Sequence, residues 1–403
     1  MTKRRYALVV PLAISAMVVA ACGSSGGSGS SSSNKKTLTI GFQGPLSGGN
    51  AALGINEKFG VQLAVKQAND KGDLPFKLEV ATADDLGSGD GGPPAAQKLI
   101  GNSNVVAVVG PSFSGASNST GKLYKAANML VVTPSATLPD ITSHGFTTYY
   151  RAVADDNAQG PPDAKYLVNK VGAKKIYVVD DTTDYGKGLA RAFTGTLSSL
   201  SGATKVGSDS APQTSGCIAG ATGSTSQYPS LASKVKNTNP DAVFYAGYYC
   251  DLGLFAKALR DKGFTGQIMS GDGSKDNRYI SGAGATVANG SLISCQCSDI
   301  ASNPNGASFI SAYKTLSGQE PGAYSAEAFD VTNAIIGVMK GLGSNINRAS
   351  LVGAFGTVDY QGLTKTIQFA SAENHNLKVQ AAFLYKVENG KFTYLGDLTK
   401  LTS

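Results

Sequence analysis

The chain has 403 residues, of which 41% are apolar, 16% are charged and none is Trp. That apolar share supports a sizeable core and excludes a wholly disordered chain; the 50 glycines keep no G-X-Y period, which excludes collagen. The formal charge is +7, yet Lys and Arg are scattered, without a basic run or interleaved aromatics, so no nucleic-acid partner is expected.

The first 22 residues read as an export signal. Lys3, Arg4 and Arg5 form a positive start, Tyr6 to Val19 an apolar stretch, and Ala20 and Ala21 a small-residue end before Cys22. The stretch is short for a membrane span, and the competing reading is an uncleaved N-terminal anchor. Residues 23–34 contain only Gly, Ser and a final Asn. Such a coil spans roughly 20 Å and separates an anchor from a folded body. The segments expected here are a signal peptide at 1–21 and, at 22–36, Cys22 with a linker.

An exported chain meets oxidising conditions, where cysteines pair. Cys217, Cys250, Cys295 and Cys297 allow three pairings, of which Cys217–Cys250 with Cys295–Cys297 is the favoured one. A metal at Cys295-x-Cys297 lacks accompanying His or Cys ligands, so neither metal nor cofactor is expected.

Beyond Lys36 the pattern alternates. Leu38–Phe42 is a strand, and Val61, Ala64, Val65 and Ala68 mark a helix face. Phe76–Val80 is a strand, Val105–Val109 a fully buried one, Gly115–Ala127 a helix and Met129–Thr133 a strand. The grammar restarts at Ile176–Val179 with a helix over Gly186–Leu200. It restarts again at Ala242–Ala246, with a helix over Leu252–Lys262, followed by Ile268–Ser270. Helices follow near Pro304–Leu316 and Tyr324–Gly341, then a hairpin of Phe383–Val387 and Phe392–Leu395 around Asn389-Gly390. Repeated βα units argue for an α/β fold with parallel sheets, and the length argues for two lobes.

Ligands of such sheets bind beyond the strands' carboxyl ends. Gly110-Pro111-Ser112-Phe113-Ser114-Gly115 follows Val109 at a helix N-terminus; that is an anion site by dipole, or plain N-capping by Ser112 or Ser114. Pro134-Ser135-Ala136-Thr137 is a hydroxyl-bearing loop or an ordinary turn. Asp184-Tyr185-Gly186 carries an aromatic expected to be exposed. Tyr248 and Tyr249 wall a pocket or fill the core. Gly271-Asp272-Gly273 presents an acid to a ligand cation, or bonds its own turn. Catalytic options are thin. His144 and His375 both look like solvated turn residues, and neither G-x-S-x-G nor H-E-x-x-H occurs, so no catalytic residue is assigned.

Val19-Ala20-Ala21-Cys22 resembles the lipobox of bacterial lipoproteins, which implies a diacylated Cys22. Leu38 to Gly48, Val109 to Ser114, Thr133 to Thr142, Asp184 to Gly188, Gly247 to Tyr249, Tyr324 to Asp330 and Asp359 to Thr364 together resemble branched-chain amino-acid binding proteins of ABC importers. The resemblance runs from about Thr37 to the C-terminus. It implies a type I periplasmic binding protein fold, with two α/β lobes joined by three crossovers. The N-terminal lobe would take 37–154 and 297–373, the C-terminal lobe 155–296 and 374–403. It further implies that Ser114, Thr137 and the backbone around Ser135 and Ala136 hold an α-carboxylate. Asp272 would pair with an α-ammonium, and Tyr185 with Tyr248 or Tyr249 would line the cleft. Leu53 stands where relatives often carry an aromatic, and the disulfide common in the relatives' N-terminal lobe is absent.

The implied function is a monomeric, lipid-anchored, non-enzymatic subunit on the outer face of the cell membrane. It would bind an amino acid, aliphatic ones preferred, and deliver it to a permease. Competing readings are a binder of another small metabolite, such as an amide, urea or an aromatic carboxylate, and a secreted hydrolase.

Overall fold

The computed structural model describes residues 35–217, 223–371 and 374–403. The export signal, Cys22 and the linker through Asn34 lie outside the described residues.

Five strands form the first sheet: β1 (Thr37–Gly44), β2 (Lys77–Asp84), β3 (Val105–Val109), β4 (Leu130–Thr133) and β5 (Tyr149–Arg151). Their order is β2-β1-β3-β4-β5, all parallel. Helices α1 (Ala51–Lys71), α2 (Gly92–Gly101) and α3 (Ser114–Ala126) connect them. The β-branched run of β3 is buried throughout. Val106 and Val109 join one apolar cluster with Val61 and Val65 of α1. Val105 and Val108 join another with Leu99 of α2 and Tyr124 of α3. A strand covered on both faces needs this unbroken apolar run.

The second sheet takes up β6 (Lys175–Asp180), β7 (Thr204–Ser210), β8 (Ala242–Ala246), β9 (Gln267–Ser270) and β10 (Leu292–Cys295). The short strands β11 (Asp359–Gln361) and β12 (Thr366–Gln368) pair separately. The hairpin β13 (Phe383–Glu388) and β14 (Lys391–Asp397) adds an antiparallel edge to the second sheet, whose order is β14-β13-β10-β9-β8-β6-β7. Its helices include α4 (Gly160–Asn169), α5 (Asp184–Leu197), α6 (Gln227–Asn237) and α7 (Tyr249–Asp261). The Phe193 and Phe244 rings stack at 3.8 Å between α5 and β8.

The chain crosses between sheets three times. After β5 it builds the second sheet. After β10 it returns, and the helices α8 (Asn277–Ala283) and α9 (Ala285–Ala288) already passed are followed by α10 (Gly306–Ser317), α11 (Ser325–Leu342) and α12 (Arg348–Phe355). Ala328, Val331 and Ile335 of α11 and Leu351 of α12 bury against the first sheet. The third crossing, after β12, leads to β13 and ends in α13 (Leu398–Thr402). Both sheets and their helices form one compact unit, Lys36–Ser403. Among the described residues no helix is long and apolar enough to cross a membrane.

One expectation fails at a crossing. His375 is not a solvated turn residue: it is 8% exposed, its Nδ1 lies 2.8 Å from the Tyr149 carbonyl, and its ring stacks on Tyr150 at 4.0 Å. Beside it the fully buried Arg151 donates to the carbonyls of Leu138 and Pro139 and to Asn376 Oδ1. These contacts pin the returning chain to β5. His144 is exposed, as expected.

Cys217 is bonded to Cys250 and Cys295 to Cys297. The first bond closes a separation of 33 residues and ties the segment before α6 to the start of α7. Closing a loop of that size removes about 3–4 kcal/mol of unfolded-chain freedom. The double variant Cys217→Ser, Cys250→Ser is therefore expected to lose about that much stability in urea titrations. An unchanged midpoint would contradict this.

Candidate functional site

The carboxyl ends of both parallel sheets face one cleft, and the loops that leave them supply its walls. On the first-sheet side, β3 runs into Ser112-Phe113-Ser114 and β4 into Pro134 to Leu138. These loops hold each other: Ser135 Oγ donates to the Ser112 carbonyl at 2.7 Å, and Leu138 N donates to Ser114 Oγ at 3.2 Å. Neither Ser112 nor Ser114 caps α3. The capping position is Phe113, whose side chain makes no such bond. Ser112 Oγ instead donates to Glu57 Oε2 at 2.7 Å.

On the second-sheet side, Thr183 accepts from Gly186 N at 2.9 Å and starts α5 so that Tyr185 lies in its first turn. Tyr185 is 2% exposed, so the exposed aromatic expected from the sequence is in fact buried. Its hydroxyl donates to Asp272 Oδ1 at 2.8 Å and accepts from Gly273 N at 3.0 Å. Tyr324 donates to the other oxygen, Asp272 Oδ2, at 2.9 Å. The glycines beside the acid are there for room. A Cβ on Gly271 would lie 2.4 Å from Leu189, and one on Gly273 would lie 2.8 Å from the Tyr185 ring. Tyr324 itself sits in left-handed backbone at φ 64°, a strained conformation for a residue with a side chain.

Burial pushes the Asp272 carboxyl up to about 6, and the Tyr185 and Tyr324 hydroxyls oppose that rise. Burial, reinforced by the Asp272 charge, holds both phenols well above their ordinary range, so they remain donors. Glu57 is pushed up to about 8 by burial; Ser112 and Ser135 oppose the rise, and the Asp85 and Glu327 charges add to it.

These groups line one tight cavity of about 10 Å³. Of the residues expected from the sequence, Leu53, Ser114, Ser135, Tyr185, Tyr248 and Asp272 line it together. The others lie behind the wall. Ala136 packs into the core beside β3, and Thr137 is buried next to Asp156. Tyr249 turns away: its hydroxyl donates to the Gly49 carbonyl and accepts from Ala52 N at 3.2 Å. Ser112 and Phe113 of the expected anion loop and Gly273 beside Asp272 also line the cavity, as do Glu57 and Tyr324, to which sequence reasoning gave no role. For Glu57 a signal existed, because it lies one helical turn after Leu53 on α1.

The cleft is shut across its mouth. Phe113 stacks on Tyr248 with centroids 4.2 Å apart. Asn50 N donates to the Cys217 carbonyl at 3.1 Å, and Asn118 Nδ2 to Asp184 Oδ2 at 3.0 Å. Among the described residues no group of three His, Cys, Asp or Glu is arranged to hold a metal ion. The site offers hydroxyls on one side, an acid on the other and an aromatic wall between, which suits a small polar ligand held without covalent chemistry.

Known proteins share this fold. The chain is similar to the Leu/Ile/Val-binding protein BraC3 of Rhizobium johnstonii, at 32% identity over 88% of this chain and 92% of the relative. Its fold is similar to the branched-chain amino acid transporter substrate binding protein LivJ of Streptococcus pneumoniae, solved in complex with isoleucine. That likeness has a TM-score of 0.79 at 27% identity, covering 90% of this chain and all of that one. A solute binding protein of an ABC transporter from Rhodopseudomonas palustris, in complex with 3,4-dihydroxy benzoic acid, shares the fold at TM-score 0.75 and 21% identity. It covers 90% of this chain and 97% of that one. A family profile described as periplasmic binding protein matches residues 37–391. The chain belongs to the periplasmic binding protein family, the extracytoplasmic substrate-binding components of transporters.

Proposed function

We propose that the chain is the lipid-anchored substrate-binding subunit of an ABC importer, and that it carries an aliphatic or branched-chain amino acid to a membrane permease. The reading is carried by the placement of Asp272 opposite Ser114 and Ser135 in one cavity. An amino acid has an anionic and a cationic group a few ångströms apart. Its carboxylate meets the hydroxyl loops and the N-terminus of α3, where dipole and free N–H groups favour an anion. Its ammonium meets Asp272, whose charge the two phenols already support. Leu53 and the Phe113, Tyr185, Tyr248 and Tyr324 rings remain for an apolar side chain.

In this reading the chain has two lobes, 37–154 with 297–373 and 155–296 with 374–403. A ligand bridging them stabilises the closed form by its differential affinity for that form, as in hinge closure generally. The closed form is what a permease reads. The subunit works as a monomer. Diacylation of Cys22 anchors it outside the cell membrane, since two chains hold where one does not. No step in this cycle needs an enzyme. A second reading, a small aromatic carboxylate as ligand, is favoured by the four rings in the wall and by the dihydroxybenzoate held in the same fold.

Three outcomes are expected. L-Leucine, L-isoleucine or L-valine binds the purified protein in calorimetry, and Asp272→Ala weakens that binding by about 2–5 kcal/mol. Binding of benzoates alone would decide for the second reading. Asp272→Asn raises the unliganded protein's melting temperature above pH 6, because it removes a buried charge. The wild-type acid titrates at 3.8 unfolded and about 6 folded, so the gap widens between those values and is level above them. A gap independent of pH would contradict a buried, ionised Asp272. Cys22→Ala releases the protein from membranes in fractionation, whereas an uncleaved anchor would keep it there.

A further inference from the structure

Glu57 is the acid that the ligand reading leaves unused. It sits on α1, fully buried, and lines the same cavity as Asp272 from the opposite side. Its Oε2 accepts from Ser112 Oγ at 2.7 Å, and its Oε1 is buried without a partner among the described residues. The Ser112 carbonyl in turn accepts from Ser135 Oγ. One carboxyl thus joins α1 to both loops that carry the hydroxyls.

We propose that Glu57 is a positioning residue of the cleft, tying α1 to the Ser112 and Ser135 loops so that these loops meet a ligand's carboxylate. This rests on the reading of the cleft as an amino-acid site. Glu57 accepts from Ser112 in either protonation state; it is a ligand carboxylate beside it that requires the neutral acid. An ionised carboxyl here would be a second buried anion, placed beside the expected position of the ligand's own carboxylate.

The surroundings favour the proton. Asp85, just after β2, and Glu327 on α11 both repel a charge at Glu57. Tyr313 on α10 and Tyr324 before α11 face it, and both remain neutral phenols because burial raises them. Asp272 lies across the cavity. The nearby cation, Lys365, lies 3.8 Å from Glu327, and no ion pair to Glu57 occurs among the described residues. The acid then carries its proton up to about pH 8.

The test compares wild type, Glu57→Gln and Glu57→Ala in the full chain, with L-leucine, L-isoleucine and L-valine as probes from pH 6 to 10. Glu57→Gln keeps the shape and cannot ionise. It is expected to bind at pH 7 at least about tenfold more tightly than Glu57→Ala. Above pH 8 wild-type affinity falls by about a further tenfold per pH unit relative to Glu57→Gln. The free amino acid loses its ammonium proton near the same pH, equally for both proteins, so the difference isolates Glu57. Identical pH profiles for wild type and Glu57→Gln, or Glu57→Ala binding like wild type, would overturn the proposal.

A ligand-free arm separates this proposal from the reading beneath it. Glu57 holds its proton in the fold while the unfolded chain releases it at 4.5, so wild type loses stability relative to Glu57→Gln as pH rises from 4.5 to about 8, and no further above. If no amino acid binds wild type, the amino-acid reading fails. The melting curves then still decide whether Glu57 holds its proton, and a stability difference that ignores pH overturns the proposal by itself.

Discussion

A carboxylate removed from water is tolerated only when its oxygens are bonded, and Asp272 organises this fold's cleft around that requirement. Each oxygen takes one phenol: Tyr185 from α5 beside the second sheet, Tyr324 from the segment that begins α11 on the first. The acid therefore links elements that the chain lays down more than 50 residues apart on either side of a crossing. The left-handed backbone of Tyr324 and the cramped glycines around Asp272 are the local strain that this arrangement carries.

The rest of the scaffold serves to bring that acid opposite the hydroxyl loops. Parallel strands end on one side of each sheet, so every loop of interest leaves from a strand's carboxyl end. The crossings then set the two edges face to face. Arg151, His375 and Asn376 hold the last crossing against β5 through buried hydrogen bonds. The Cys217–Cys250 bond steadies the loop whose Cys217 carbonyl receives Asn50 N across the mouth. The first set lies away from the cavity, at a crossing; the second lies across its mouth.

Strands buried on both faces were the most legible elements. Val105–Val109 and Ala242–Ala246 end where their apolar runs end, because flanking helices demand apolar side chains on both faces. Helices α2 and α4 were hidden. Both begin Gly-Pro-Pro, which reads as a breaker, although Pro at a helix's first turn gives up no hydrogen bond. Strand β7 was hidden for another reason. It lies at the sheet's edge, and its Thr-Lys-Val-Gly-Ser-Asp-Ser run has no buried face to mark it. In the site, Asp272 stood out between two glycines after a strand. Adjacent Tyr248 and Tyr249 could not be separated, since one residue of helix phase sends Tyr248 to the cavity and Tyr249 to Gly49. Glu57 looked like an ordinary polar position between Asn56 and Lys58. Its one signal was its place a helical turn after Leu53; the contact with the Ser112 loop, distant in sequence, is what local sequence does not encode.

The two acids of the cleft show how one environment yields two chemistries. Burial raises both, Asp272 to about 6 and Glu57 to about 8. Asp272 has two phenols aimed at its oxygens and stays an anion at neutral pH, ready for a cation. Glu57 has one hydroxyl, one bare oxygen and two acidic neighbours, so the proton is its cheapest partner. An anion on the second-sheet side and a neutral acid behind the hydroxyls on the first-sheet side give the cavity a direction. In the proposed site a doubly charged guest fits one way round and not the other, because reversal would set its carboxylate against Asp272 and leave its ammonium facing the dipole of α3.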